Sequence, residues 1–452
     1  MTNSPMDQQA RVDVERLLQQ QAETSPAGRA EEIAALLPKG VMFATQPSRS
    51  GEPARVPDEE WTLTSAWPYQ GQTASGTAAV YYGAGHSHLT RPMIFADGFN
   101  YGPSDLAGLW DHFNEPYSTS QERLFDQLLA AGVDIVLLGF DVRHTHIQAN
   151  AGVAVSCIRQ AIDRRQGDTP LIVGGVSMGG LVTRYALAAM ESQGEDHQTE
   201  TYLSYDSPHN GAWIPLILQQ LAYFSDNLTP PEPGRPSQAD LIKSPAAQQL
   251  LWGWVEKTGY SGPVATASPL RGEFLADLKE VNWFPSRPRK LGVANGTATG
   301  TGREVTPGEP VFEWSELGGL VGATVHAQPA YGTRQHVGGM RAVPLWASKT
   351  YTTEVPPFDG APGGTLASYG MIADKLGVEI EDRHRSVCFV PSVSAVALKY
   401  DPVDWPVDLY TDLSTMPAGS SDLDDFHCDT ENSEHSKVTK TLADWILERI
   451  AY

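Results

Sequence analysis

Gly175-Val176-Ser177-Met178-Gly179 sets a serine between two glycines. An apolar run, LIVGGV, leads into it, and a stretch follows in which Leu181, Tyr185 and Leu187 share a helical face. Strand, tight turn and helix is the context in which a G-x-S-x-G string lifts a hydroxyl clear of the backbone. Glycine is needed on both sides because strand and helix backbones come too close for a Cβ. The start of a helix also favours developing negative charge. These residues nominate Ser177 as a nucleophile for acyl chemistry. Such a serine needs a base to take its proton, a carboxylate to orient the base, and N–H donors for the oxyanion.

The base is expected downstream, just before the last helix. His435, in TENSEHSKVTKTLADWIL, stands immediately ahead of that helix, and His427 lies earlier in a polar loop. His209, in DSPHNG, reads as a residue that shapes the floor of the site through local hydrogen bonds. His144 and His146 have metal-like spacing, but a lone H-x-H reads as a polar turn, and no metal is expected there. The carboxylate is expected between RKLGVANG (289–296) and His435. Asp382, in EIEDRHRS, is assigned that role, and Asp359, Asp401, Asp404 and Asp424 also fit by order. One oxyanion donor is the backbone N–H of Met178, which follows the nucleophile. The other is the amide of Phe99 in ADGFNYG, where Gly98 lets the chain turn inward. This chemistry calls for no cofactor.

These residues need a frame. Apolar strands at 92–96, 133–140, 171–176 and 202–205 alternate with helical stretches at 121–131, 150–165 and after Ser177, which describes a parallel sheet covered by helices. Residues 61–82 alternate as an antiparallel pair, and 10–37 read as two short amphipathic helices. Residues 216–288 read as mostly helical around TPPEPGRP, and 297–380 as irregular β structure too long for a plain loop. A closing amphipathic helix is expected over 437–450. The organisation is therefore a helical extension over 1–60, a first core segment over 61–215, cap insertions over 216–380 around one core strand at 289–296, and a last core segment over 381–452.

The chain has 452 residues and a net charge of −22, which argues against nucleic acid and anionic membrane surfaces as partners. Its three cysteines describe neither a disulfide framework nor a zinc site. No signal-like apolar segment opens the chain and no apolar run is long enough to span a membrane, so a cytoplasmic setting is expected.

Several strings together resemble the lipase-like α/β-hydrolases, especially a bacterial group of large serine hydrolases. They are Asp97-Gly98-Phe99, the SMGGL and Arg-Tyr-Ala run from Ser177 to Ala186, and Asp206 to Ala212 (DSPHNGA). Ala361-Pro362-Gly363-Gly364, Phe389-Val390-Pro391 with Ser394-Ala395, and Asn432 with His435 complete the set, spread over about residues 90–450. The resemblance implies an α/β-hydrolase fold with a mostly parallel sheet, a Ser-Asp-His chain order, and cap elements at 216–288 and 297–380 over an acyl pocket. FVPSVSA is also similar to the segment that follows the catalytic Asp in lecithin–cholesterol acyltransferase-like lipases, where an Asp-Gly-x-Val-Pro pattern is expected. Val387 stands at that Asp position here.

The expected activity is that of a serine carboxylester hydrolase acting on a small apolar ester through an acyl-enzyme. One alternative is an acyltransferase, cyclase or thioesterase that uses the same acyl-enzyme. Another is a non-catalytic binding protein on a hydrolase fold. The aromatics Trp252, Trp254, Trp283, Phe284, Trp314 and Trp346 are read either as walls of an apolar pocket or as plain core.

Overall fold

The computed structural model describes residues 55–228, 237–256, 267–328, 335–343, 346–352 and 355–451. The helices expected over 10–37 lie outside the described residues. The alternating segments become antiparallel strands β1 (Glu59–Thr64) and β2 (Ser75–Tyr81). Then follow β3 (Pro92–Ala96), α1 (Leu106–Phe113), α2 (Leu124–Ala130), β4 (Asp134–Phe140) and α3 (Ile147–Arg164). The central unit is β5 (Leu171–Val176), α4 (Met178–Ser192) and β6 (Thr199–Tyr205).

Four helices come next: α5 (Leu216–Leu228), α6 (Gln238–Lys243), α7 (Pro245–Leu250) and α8 (Pro269–Glu280). After β7 (Arg289–Thr297) the chain forms β8 (Pro310–Glu316), β9 (Val321–His326), β10 (Gln335–Ala342) and β11 (Trp346–Thr352). The last elements are β12 (Gly363–Leu366), α9 (Ser368–Leu376), α10 (Asp382–Arg385), β13 (Val387–Pro391), α11 (Ser392–Ala395), β14 (Asp425–Asp429) and α12 (Lys440–Ile450).

The main sheet runs β1-β2-β4-β3-β5-β6-β7-β14, with every pairing from β4 to β14 parallel and β2 antiparallel to both neighbours. This mostly parallel, helix-covered sheet is consistent with an α/β-hydrolase fold. Strands β3, β4 and β5 are buried along their whole length, as strands with helices on both faces must be. On one face Ile147, Ala151, Val155 and Ile158 of α3 pack with Leu181 and Val182 of α4. On the other, α1, α2 and α12 bury Phe113, Phe125 and Ile446. Phe113 meets the rings of Phe95, Tyr205 and Phe125 at 4.9, 5.1 and 5.6 Å, so its truncation to alanine would cost about 3–5 kcal/mol.

A third apolar cluster gathers α5, β8 to β10 and β13. Strands β8 to β11 form a separate four-stranded antiparallel sheet, and β12 and β13 pair as a two-stranded ribbon. β14 was not expected from the sequence. DFHCD is short, charged and only partly buried, and it lies at the sheet edge, where a strand needs no apolar face. Arg289 and Arg449 both pair with its Asp425.

Candidate active site

Ser177 sits between β5 and α4 with φ 54° and ψ −124°, a backbone conformation that serine rarely adopts. Its N–H donates to the carbonyl of Tyr205 at 2.9 Å, and its own carbonyl accepts from Gly180 at 3.1 Å. The turn exists because Gly179 lies against the carbonyls of Ala96 and Asp97, where a Cβ would overlap both oxygens. Gly98 comes equally near from the loop after β3, since a Cβ there would stand 3.2 Å from Cβ of Ser177. That loop, which carries Phe99, and Met178, the first residue of α4, therefore flank the serine. The amides of Met178 and Phe99 have no protein acceptor among the described residues.

His435 precedes α12, and its Nδ1 lies 2.6 Å from Oδ2 of Asp206, with both side chains buried. An ionised carboxylate can only accept, so Nδ1 carries the proton and Nε2 is left as the basic nitrogen. Asp206 is the first residue after β6. Its φ is 45°, its N–H donates to Val293 at 2.8 Å, and its Oδ1 accepts from the amide of Asn295 at 3.1 Å.

The loop around His435 is pinned from several sides. The N–H of His435 donates to Thr365 of β12 at 2.8 Å. Oδ1 of Asn432 accepts from Thr297 and Gly363, both at 3.1 Å. The carbonyl of Lys437 accepts from Tyr205 and Asn295, both at 2.8 Å, and Nε2 of His112 donates to the carbonyl of Ser436 at 2.9 Å. Phe389 of β13 meets the His435 ring edge-on at 4.9 Å.

The structure does not bring Asp382 to His435. Asp382 is exposed in the first turn of α10, while the acceptor for His435 comes from the end of β6. Three of the other carboxylates that fit by order are engaged elsewhere. Asp359 is buried and accepts from Trp213, Gln328 and Tyr369, and burial outweighs these hydrogen bonds to hold its carboxyl above the usual range. Asp424 pairs with Lys290, and Asp401 accepts from the amides of Val403 and Asp404. Sequence reasoning passed over Asp206 because it looked only beyond 289–296. The available signal was a carboxylate at the carboxyl end of the strand beside the nucleophile's own.

Beside Ser177, Oδ1 of Asp97 accepts from Gly98 at 2.8 Å, and its Oδ2 lies 3.2 Å from Arg143. Burial pushes the Asp97 carboxyl up, and the Arg143 charge partly reverses this. Arg143 also donates to the carbonyls of Tyr101 and Gly102, so one guanidinium braces the loop that carries Phe99. A cleft of about 440 Å³, open to solvent, is lined by Ser177, Asp97, Phe99, His112, Arg143 and Ser436 among others. A second, small space shares Phe99 as a wall and is lined only by apolar residues.

The other histidines singled out in the sequence are accounted for locally. His209 is buried, with Nε2 donating to Ser204 at 2.8 Å and Nδ1 accepting from Arg184 at 3.4 Å. Burial, then the Arg184 charge, holds it well below the usual imidazole value. The His144 ring stacks on Tyr101 at 4.3 Å, whereas the His146 ring faces Tyr69 at 5.3 Å. His427 lies on β14 and stacks on Trp445. Among the described residues no group of three or more His, Cys, Asp or Glu could hold a metal ion, and no helix is long and apolar enough to cross a membrane. The aromatics read either as pocket walls or as plain core mostly pack as core. Trp252 packs with Trp213, Phe358 and Trp405, and Trp314 is buried on β8. Trp283 and Phe284 face the guanidinium of Arg184, and Trp254 donates to the carbonyl of Ile242. The side chain of Trp346 lies outside the described residues.

No family model matches the chain, and no curated protein does. Among solved structures the chain is similar to esterase Est22 in its structure with p-nitrophenol, at 14% identity and a TM-score of 0.25, over 34% of this chain and 45% of that one. It is similar to the mature lipase BlEst2 of Bacillus licheniformis at 16% identity and a TM-score of 0.27, over 48% and 71% of the two chains. A fungal esterase from Rhizomucor miehei matches at 14% identity and a TM-score of 0.28, over 53% and 67%. The chain thus spans less than half of the Est22 chain.

Proposed function

We propose that this chain is a serine ester hydrolase in which Ser177 is the nucleophile, His435 the base and Asp206 the carboxylate that orients it. The observation that carries this reading is the buried 2.6 Å pair of His435 and Asp206 in a fold that also holds a serine at a strained strand-to-helix turn. Nε2 of His435 takes the Ser177 proton as Oγ attacks the ester carbonyl. The amides of Met178 and Phe99 hold the oxyanion of the tetrahedral intermediate. The same nitrogen then protonates the departing alcohol. Water, activated by His435, releases the acid from the acyl-enzyme. Asp206 keeps the imidazole in the tautomer with Nδ1 protonated and stabilises the imidazolium as it forms.

The test is labelling with a fluorophosphonate probe. Wild type and Asp382→Asn are expected to label. Ser177→Ala and His435→Ala are expected not to label, and Asp206→Asn to label far more slowly. Folded wild-type protein that takes up no probe, or a Ser177→Ala variant that still labels, overturns the reading.

A further inference from the structure

The loop that carries His435 is held on both sides of the base. The N–H of His435 donates to Thr365, and the next two carbonyls are bound in turn, Ser436 by His112 and Lys437 by Tyr205 and Asn295. Of these anchors only His112 also lines the cleft of Ser177. It stands in the last turn of α1, the first helix after the loop of Phe99, and so reaches the base from the element that follows that loop. The helix is anchored at both ends. Ser104, just before it, exchanges hydrogen bonds with Phe140 of β4 at 2.9 and 3.0 Å, and Asp105 caps it by accepting from Gly108. Phe113, the neighbour of His112, is buried against Phe95 and against Tyr205, the residue before Asp206.

Ser436 shows what the contact holds. Its φ is 67°, in the left-handed region that serine enters only at a cost, so the conformation needs an outside restraint. A carbonyl can only accept, so Nε2 of His112 carries a proton. That nitrogen lies 2.9 Å from the Ser436 carbonyl and 3.1 Å from the Ser436 hydroxyl. The bond to Asp206 fixes one point of the His435 ring and leaves the ring free to pivot about Nδ1. The backbone at 435–436 then sets where Nε2 of His435 stands, and proton transfer loses rate steeply when that position shifts.

We infer that His112 is a positioning residue of this site: through the carbonyl of Ser436 it holds the left-handed turn after His435 and so aims the imidazole at Ser177. The inference rests on the ester-hydrolase reading above and adds to it a residue outside the triad that acts on the base through the backbone.

The test compares three substitutions of His112 in the full-length protein, read on p-nitrophenyl acetate and by the rate of fluorophosphonate labelling. The amide nitrogen of glutamine can stand where Nε2 stands. That of asparagine stands where Nδ1 stands and stops short of the Ser436 carbonyl, and leucine offers no donor. His112→Asn and His112→Leu are expected to lower kcat by about 10–10²-fold, with KM within about twofold of wild type. Labelling should slow by the same factor, because phosphonylation also needs the base aimed at Ser177. His112→Gln is expected to restore kcat to within about threefold of wild type. A side chain that merely kept the fold would lower activity together with the denaturation midpoint, and alike for asparagine and glutamine. Should the leucine variant fail to fold, the asparagine and glutamine variants, equal in polarity, decide alone. Equal kcat in those two, or losses confined to KM, overturn the inference while wild type still labels. Wild-type protein that neither hydrolyses the ester nor labels overturns the ester-hydrolase reading itself.

Discussion

Nδ1 of His435 and Oδ2 of Asp206 stand 2.6 Å apart, joined across 229 residues of chain and sealed from solvent. The bond is held from both ends. Oδ1 of Asp206 accepts the amide of Asn295 on β7, and the amide of His435 donates to Thr365 on β12. β12 belongs to the ribbon it forms with β13 and not to the main sheet, so an accessory element fixes the orientation of the imidazole.

Asp206→Asn is expected to lower kcat by about 10³–10⁴-fold with little change in KM, because an amide favours the wrong tautomer of His435 without emptying the site. Asp382→Asn is expected to remain within about twofold of wild type, as is usual for an exposed residue far from any such pair. Steady-state hydrolysis of p-nitrophenyl acetate measures both. A large loss in Asp382→Asn with normal Asp206→Asn would reverse the assignment.

Gly364→Ala tests the same pair without touching either member. A Cβ on Gly364 would overlap Oδ2 of Asp206 and stand 3.3 Å from Cα of His435. Displacing either group by a fraction of its bond length should cost about 10²-fold in kcat/KM, since catalytic groups tolerate little misplacement. The comparison is kcat/KM against the denaturation midpoint. A variant with a normal rate at an unchanged midpoint would show that the pair is not geometrically constrained.

Arg143→Met removes the brace of the Phe99 loop and leaves the Asp97 carboxylate buried without its partner. Breaking a buried pair from one side costs about 3–5 kcal/mol. Burial already holds the Asp97 carboxyl above its usual range, so the variant should be rescued in part when Asp97→Asn is added. Urea denaturation of the two single variants and the double variant measures the coupling. Additive losses would mean that the two side chains act independently.

What could be read from the sequence was local. Residues 171–192 carry an apolar strand, a glycine turn and a helical face in one uninterrupted stretch, and they fold as β5 and α4. The buried strands β3 and β4 announced themselves by apolar runs for the same reason. β14 did not, because an edge strand can carry Asp425 and His427 at half-exposed positions. Asp206 was hidden differently. Its string DSPHNGA and its place at the carboxyl end of a strand are visible locally, but its contact with His435 joins it to a loop 229 residues away, which no local pattern shows. The tryptophans read either as pocket walls or as plain core take the second role, since Trp252 and Trp314 pack into core and Trp283 lies against Arg184.

His209→Gln is expected to make the protein more resistant to mild acid. His209 is held neutral by burial and by the neighbouring Arg184, well below its ordinary value of 6.5. In the unfolded chain the same ring is free to protonate as the pH falls below that value. There the unfolded state binds one more proton than the native state, so stability declines by about 1.4 kcal/mol per pH unit on acidification. Above the ordinary value both states are neutral at this ring and the contribution is flat. Glutamine cannot titrate, and its amide can still donate to Ser204, the present partner of Nε2. The half-buried His144, His146 and His427 are also held low, and they contribute slopes of the same sign to both proteins. The difference between wild type and variant therefore isolates His209. Urea unfolding between about pH 5 and pH 8 should give curves that run parallel at the alkaline end and draw together, or cross, below the ordinary imidazole value, with the variant losing less stability. Parallel curves over the whole range would mean that the ring accepts a proton in the folded protein, and that the contact with Arg184 is not maintained in solution.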